Sequence, residues 1–274
     1  MVTITSLGDF RRMFPPDAAV LDDLAAGIQV VLGENVLGIY LYGSAVFGNF
    51  DPGTSDLDLT AILQRPVTPG ELGQLGEMHM QIVRDHPGWN DRIEVQYIDR
   101  DALRTFRTQR SHMANISPGE PLHMIETGIE WLMNWYLITH HGVTVIGPNP
   151  QTVIPEISDE EFVDSARDHA IEWSGRIGEI DGTRSQSYAV LTMSRALYTH
   201  RTGKHVSKID AAHWIIANFP EKRALLERAI AWRVSPSGPS PGTIKEARDF
   251  VREVVGIIQA ESVPQAIDGT TSET

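Results

Sequence analysis

The sequence predicts an α+β fold in which a domain of mixed helices and strands, residues 1–150, is followed by an all-helical domain, residues 151–262. Short apolar runs typical of strands occur before residue 147. A turn-rich stretch, GPNPQTVIPE, follows them, and beyond it the apolar residues recur at helical spacing only. The last residues, 263–274, are predicted to form a disordered tail.

The first domain is predicted to alternate helices with strands. Apolar residues at helical spacing or in short runs indicate, in order, a helix at 17–32, strands at 36–42 and 57–63, a helix at 71–83, a strand at 92–98, a helix at 125–140 and a strand at 143–146. A sheet covered by helices is the arrangement that buries these apolar residues.

The second domain is predicted to be a helical bundle. Ser158 and Glu161 have the spacing of a capping box before a long apolar-faced helix, and Gly203 is placed to end the next one. Thr243 and Glu246 have the spacing to cap the last helix, after the loop SPSGPSPG. The predicted helices are 158–180, 188–202, 208–218, 221–232 and one that begins at about 243.

Composition excludes several classes of protein. The net charge is −13, from 36 acidic and 23 basic residues, and such a surface repels nucleic acid and attracts cations. There are no cysteines, which excludes disulfides and thiolate metal sites. Neither a secretory signal nor a membrane-spanning run is evident. We therefore expect a cytoplasmic protein without nucleic-acid or membrane partners; the sequence leaves its oligomeric state open, with a monomer expected.

Polar residues interrupt the first three predicted strands in a pattern that suits phosphate chemistry. Gly43 and Ser44 follow the first strand, where a glycine allows close approach of the backbone and a helix start can bind phosphate. Asp56 and Asp58 share one face of the second strand, and Glu94 lies on the third. Each motif alone is usually a turn or a solvated strand end, but carboxylates within the apolar run LDLTAIL are costly without a cation.

Hard oxygen ligands of this kind favour Mg²⁺, which one or two carboxylates hold together with water and substrate phosphates. Asp56 and Asp58 are the predicted ligands, with Glu94 as a third carboxylate beside them. Metal ions and a nearby carboxylate base are the elements that phosphoryl or nucleotidyl transfer requires. The sequence therefore predicts a magnesium-dependent transferase.

These residues resemble the aminoglycoside adenylyltransferases that modify streptomycin and spectinomycin, within the DNA polymerase β-like nucleotidyltransferase superfamily. The resemblance rests on LYGSAVFG, SDLDL, RIEVQYI and HHGVTVIGP, and on YAVLTMSRALYTHRTGKHVSKIDAAHW in the helical half. It implies a mixed-sheet nucleotidyltransferase domain followed by a helical bundle. The implied reaction moves AMP from ATP, the co-substrate, to a hydroxyl of a cationic antibiotic and releases pyrophosphate.

The resemblance also implies roles for individual residues. Asp56 and Asp58 would hold Mg²⁺, and Glu94 would be the catalytic base. ATP would lie in the cleft between the domains, held by Gly43, Ser44, Ser55, Arg195 and Lys208. Without the resemblance, Arg195 and Lys208 read as ordinary surface charges.

The acceptor is less well defined by the sequence. Asp181 and Trp173 are the predicted acceptor-binding residues, but Ser185 stands where the resemblance implies a second acidic residue. Two alternatives therefore remain open. One is adenylylation of a protein or of a non-antibiotic metabolite, and the other is a non-catalytic nucleotide-binding or antitoxin-like module.

Overall fold

The computed structural model describes residues 4–234 and 241–262. Contacts within the chain define two compact units, which divide between Phe162 and Val163. The predicted boundary at residue 150 lies shortly before this division. The predicted tail, 263–274, and most of the predicted loop, residues 235–240, lie outside the described residues.

The N-terminal unit has the alternating elements that the sequence predicts, with some additions. In order they are α1 (Leu7–Met13), α2 (Pro15–Leu32), β1 (Val36–Tyr42), β2 (Leu57–Leu63), α3 (Pro69–Asp85), β3 (Ile93–Asp99), α4 (Arg100–Thr105), β4 (Ser111–Ser117), β5 (Glu120–Thr127), α5 (Leu132–His141) and β6 (Val143–Ile146). The predicted β1, β2, β3 and β6 are confirmed, as are α2 and α3, whereas α1 and α4 were not predicted.

The six strands form one mixed sheet in the order β5-β4-β3-β2-β1-β6. Only β2 and β3 run parallel; the other four neighbouring pairs are antiparallel. The parallel pair needs a crossover, and α3 supplies it. The α+β class predicted from the sequence is confirmed.

The two faces of this sheet differ in polarity. One face buries Leu41, Leu59 and Val95 in a core shared with α1, α2 and α3. The opposite face carries Thr60 and Gln96, which are buried polar residues, and α5 lies against β1. Because side chains alternate along a strand, the apolar core on one side leaves the polar positions of β2 and β3 together on the other.

The prediction of a helix at 125–140 is wrong for its first residues. Residues up to Thr127 belong to β5, which pairs with β4 in a hairpin, and the helix begins at Leu132. Ile125 fits helical spacing with residues that follow it, but in the structure it pairs with Met113 across the hairpin. Pairing in the sheet therefore outweighs a local helical pattern, as tertiary context commonly does.

The C-terminal unit is helical. Its elements are α6 (Asp159–Arg176), within which the division of the chain falls, α7 (Thr183–Thr202), α8 (Lys208–Asn218), α9 (Arg223–Val234) and α10 (Pro241–Ser262). Residues of α7, α8, α9 and α10 share one apolar core. In the described parts of the chain, no helix has the length and apolar character required to cross a membrane.

The predicted helix ends are mostly confirmed. Ser158 and Glu161 form the capping box, with the Glu161 N–H donating to Ser158 Oγ and the Ser158 N–H to Glu161 Oε2. Gly203 ends α7 in the left-handed conformation, at φ 69°. The predicted cap at Thr243 is wrong, because α10 already begins at Pro241.

A buried imidazole makes stability depend on pH. His79 of α3 is 3% exposed, and its Nε2 lies 2.7 Å from the Tyr97 hydroxyl of β3. Burial lowers the pKa of His79 from 6.5 to about 4. The unfolded chain therefore takes up a proton that the folded chain does not, so stability falls as the pH drops from 6.5 towards 4.

We expect the variant His79→Phe to lack this part of the pH dependence. Between pH 6.5 and 4, the wild type should lose up to about 3 kcal/mol more unfolding free energy than the variant does. Urea unfolding at several pH values measures the difference. If the unfolding free energies of the two proteins changed equally with pH over this range, His79 would not be the cause of the pH dependence.

Candidate active site

Two of the predicted carboxylates, Asp58 and Glu94, are neighbours where β1, β2 and β3 run side by side. Tyr42 is the partner of Asp58 across β1 and β2, and Asp58 is the partner of Glu94 across β2 and β3. Partners in register share a face, and neighbouring strands are about 4.8 Å apart, so Asp58 and Glu94 are immediate neighbours. Asp56 lies two residues before Asp58, at the entrance to β2. All three carboxylates are partly exposed.

The backbone of Gly43 approaches the Asp58 carboxylate very closely. A Cβ atom built on Gly43 would lie 1.9 Å from Asp58 Oδ2 and 2.5 Å from its Cγ. Gly43 also has φ +67°, a conformation that residues with a side chain rarely adopt. Glycine is therefore required here for two reasons, and the turn after β1 lies directly against the central carboxylate.

The two predicted serines occupy different surroundings. Ser44 lies in the short 3₁₀ turn Gly43–Ala45 and directly follows Gly43, the residue that approaches Asp58. Ser55 is buried, and its hydroxyl accepts a hydrogen bond from the Asp51 N–H at 2.9 Å. The Ser55 side chain thus closes the loop that leads into β2. The roles of both serines towards a triphosphate stay predictions.

A network of hydrogen bonds centred on Gln96 lies beside the carboxylates. Its Oε1 accepts from the Tyr42 hydroxyl at 2.8 Å and from Thr60 Oγ1 at 3.0 Å. Its Nε2 donates to Glu94 Oε1 at 3.0 Å and to Asn115 Oδ1 at 3.3 Å. Side chains from four adjacent strands are therefore joined through one buried amide.

The Tyr42 phenol responds to the charge of this site. Burial is the main cause that holds the pKa of Tyr42 well above its ordinary value, and the negative charges of Glu94 and Asp58 raise it further. Asn134 of α5 donates a hydrogen bond to the Tyr42 hydroxyl at 3.1 Å. Tyr42 is therefore a neutral donor to Gln96, and Glu94 and Asp58 are close enough to act on it electrostatically.

Several residues of this site were missed in the sequence. Arg92 donates from Nε and Nη2 to the Ser55 carbonyl, at 3.1 and 2.6 Å, and its guanidinium lies 4.3 Å from the centre of the Trp89 ring. It therefore fixes the chain just before Asp56. Gln96 could have been found, because it is two residues beyond Glu94 on the same face. No sequence pattern indicated Asn115 or Asn134. Asn115 lies on β4, a strand that was not predicted, and Asn134 lies on the helix α5.

In the C-terminal unit, the two predicted cationic residues both act on one histidine. Arg195 and Lys208 both act on the imidazole of His169, whose pKa falls to about 4 through burial first and then through the charges of Arg195, Lys208 and Arg176. Lys208 Nζ also lies 3.9 Å from the centre of the Tyr188 ring. Arg195, Lys208 and Arg176 therefore all lie within electrostatic reach of His169.

The two predicted acceptor-binding residues differ in exposure. Trp173 is 5% exposed within the core of the C-terminal unit, and its Nε1 donates to His169 Nε2 at 3.2 Å. Asp181 is exposed just before α7, where its N–H donates to Ser185 Oγ at 3.1 Å and Ser185 Oγ donates to its Oδ1 at 3.2 Å. Binding of an acceptor by Trp173 and Asp181 stays a prediction.

The carboxylates are suited to a metal that brings part of its own coordination shell. Within residues 4–234 and 241–262, no three His, Asp or Glu side chains converge tightly enough to enclose an ion by themselves. Mg²⁺ does not need such a cage, because water and substrate phosphates usually complete its six ligands. The adjacent oxygen donors of Asp58 and Glu94 fit this mode of binding, and the metal-binding roles of Asp56, Asp58 and Glu94 stay predictions.

Comparison with known proteins relates both units to one family. Residues 152–261 match the family model of the aminoglycoside adenylyltransferase C-terminal domain. An aminoglycoside (3'')(9) adenylyltransferase from Escherichia coli is 24% identical over 258 residues, which covers 87% of this chain and 93% of the relative. A spectinomycin 9-adenylyltransferase from Campylobacter jejuni is 24% identical over 208 residues, covering 71% of this chain and 76% of the relative.

A solved structure supports the same relation at the level of the fold. The crystal structure of a spectinomycin adenyltransferase from Enterococcus faecialis with ATP and spectinomycin matches this chain with a TM-score of 0.69 and 16% identity, covering 87% of this chain and 98% of the other. The named sequence relatives confirm the prediction of an adenylyltransferase. Its sequence is similar to those of aminoglycoside adenylyltransferases, which confirms the resemblance found in the sequence.

The close approach of Gly43 to Asp58 can be tested by stability. We expect Gly43→Ala to cost more free energy of unfolding than Gly53→Ala, whose added Cβ meets nothing within 4 Å at φ +93°. Backbone strain costs on the order of 1–3 kcal/mol in either variant, and only Gly43→Ala adds the collision with the carboxylate. Denaturant unfolding of both variants measures the difference.

The variant Asp58→Ala supplies the control. In that background the carboxylate is gone, so Gly43→Ala should cost less than it does in the wild type. An equal cost in both backgrounds would show that the contact with Asp58 contributes nothing.

Proposed function

We propose that this chain transfers AMP from ATP to a hydroxyl group of an aminoglycoside-type antibiotic and releases pyrophosphate, with Mg²⁺ as the metal. The observation that carries the proposal is the pairing of Asp58 with Glu94 on adjacent strands, directly against the turn at Gly43. The match of residues 152–261 to the C-terminal domain of aminoglycoside adenylyltransferases supports the choice of reaction. The acidic net charge suits a polycationic acceptor.

The chemistry assigns a separate task to each side chain. The acceptor hydroxyl attacks the α-phosphorus of ATP, a new oxygen–phosphorus bond forms, and the bond to the pyrophosphate group breaks. Glu94 takes the hydroxyl proton. Asp56 and Asp58, with Glu94 beside them, hold Mg²⁺, which when bound offsets the negative charge of the triphosphate.

Five residues are proposed to hold the nucleotide. The turn at Gly43 and Ser44, together with Ser55, seats the triphosphate through hydroxyl and main-chain N–H groups. Arg195 and Lys208 offset phosphate charge, and their common electrostatic effect on His169 supports a joint role.

The acceptor is proposed to bind in part through Asp181, whose exposed carboxylate can pair with an ammonium group. One observation favours a different acceptor. Ser185, which stands where the resemblance implies a second acid, already uses its hydroxyl in hydrogen bonds with Asp181 and with the Gly182 N–H. A protein side chain or a non-antibiotic metabolite is therefore the second candidate acceptor.

The proposed reaction can be tested directly. Purified enzyme with ATP and Mg²⁺ should release pyrophosphate in the presence of streptomycin or spectinomycin, and mass spectrometry should detect the drug carrying one AMP group. Glu94→Gln should lower kcat by about 100-fold to 10,000-fold, because the base is lost. Asp58→Asn should lower it by on the order of 100-fold or more, because a charged metal ligand is lost.

The matched control is Glu120→Gln, which neutralises an exposed carboxylate on β5 and should leave the rate unchanged. A wild type that binds ATP but releases no pyrophosphate with any aminoglycoside, with spectinomycin or with a library of metabolites and proteins would refute transferase activity. Release with a metabolite or protein alone would establish the second candidate acceptor.

Nucleotide binding by the C-terminal unit gives a separate prediction. Arg195→Gln and Lys208→Met should each raise the KM for ATP by about 10-fold, the size expected for one charge-assisted contact. Steady-state kinetics with varied ATP at saturating acceptor measure this effect. Lys204→Met, which removes an exposed cation beyond the end of α7, is the control and should leave the KM for ATP unchanged.

A further inference from the structure

Gln96 is the most constrained polar side chain near the proposed base. It is 0% exposed, so its amide cannot exchange protein partners for water. Both N–H groups donate and the oxygen accepts twice, which satisfies the full hydrogen-bonding capacity of the amide. A buried network in which every member is satisfied holds its side chains in one arrangement.

The partners also fix which way the amide faces. On one side stand two hydroxyls, those of Tyr42 and Thr60, which can donate to the amide oxygen. On the other side stand two acceptor oxygens, those of Glu94 and Asn115, which need the N–H groups. A flipped amide would set its oxygen against the Glu94 carboxylate, so the orientation with Nε2 towards Glu94 is the stable one.

We propose that Gln96 is the positioning residue of Glu94 and orients its carboxylate for proton transfer from the acceptor hydroxyl. The inference rests on the proposed function, in which Glu94 is the base. The Glu94 carboxylate ends a long side chain with three rotatable bonds, at a partly exposed position. The hydrogen bond from Gln96 Nε2 to Glu94 Oε1 restricts this freedom, while the amide itself is held from three other strands.

The expected effect of losing Gln96 is therefore on kcat rather than on substrate binding. A carboxylate that is misplaced by about 1 Å can cost on the order of 100-fold in rate. We expect Gln96→Met, which keeps the volume and removes the amide, to lower kcat by about 10-fold to 100-fold and to change the KM for ATP by less than about twofold. Gln96→Asn is the second variant, for use if Gln96→Met folds poorly. Its shorter amide does not reach Glu94, so it should also lower kcat with little change in the KM for ATP.

A double-mutant cycle separates positioning from a general loss of structure. Glu94→Asp shortens the base so that it no longer reaches the Gln96 amide, and in that background Gln96→Met should lower kcat by less than about threefold. His79→Phe is the control for destabilisation alone, because it also removes a buried hydrogen bond, on the opposite face of the sheet. It should lower the melting temperature without lowering kcat.

The outcomes separate the inference from the proposed function. Transfer that is lost in Glu94→Gln but kept at the wild-type kcat in Gln96→Met and Gln96→Asn overturns the positioning role alone. The same holds if Gln96→Met costs equally much in the wild type and in Glu94→Asp. If the wild type transfers no AMP to any acceptor, the proposed function fails, and the inference fails with it.

Discussion

The proposed active site depends on one structural constraint, the parallel pairing of β2 with β3. The register of that pair sets Asp58 opposite Glu94, and a shift by one residue would turn one of the two carboxylates into the apolar core. The register is fixed from the other face, where Leu59 and Val95 are fully buried. The same burial of apolar side chains that stabilises the sheet therefore also brings the two acids together.

The sequence alone predicts those parts of the site that follow from the alternation of side chains along a strand. The apolar runs around Asp58 and Glu94 placed each of these acids on a strand, as the structure has them, whereas Asp56 lies just before β2 and its place on the same side as Asp58 stays a prediction. The hairpin of β4 and β5 could not be found in the same way. Ile125 fits a helical pattern locally, and only its pairing with Met113, a tertiary contact, decides for the strand.

The details of the site were hidden for a similar reason. Gln96 has its significance because Tyr42, Thr60 and Asn115 surround it, and these residues come from three other strands. Arg92 likewise acts on a residue far away in the chain, through the Ser55 carbonyl. Residue type and spacing can suggest an acid for catalysis, but partners that are brought together only by folding determine how that acid is held.

The connection between β1 and β2 is tied down at both ends. At the start of this connection Gly43 packs against Asp58, and at its end Arg92 donates two hydrogen bonds to the Ser55 carbonyl. Between these anchors Phe50 is buried against Phe10, Phe14 and Trp89, whereas Pro52 and Gly53 are exposed. Changes of length are therefore accommodated most readily at Pro52 and Gly53.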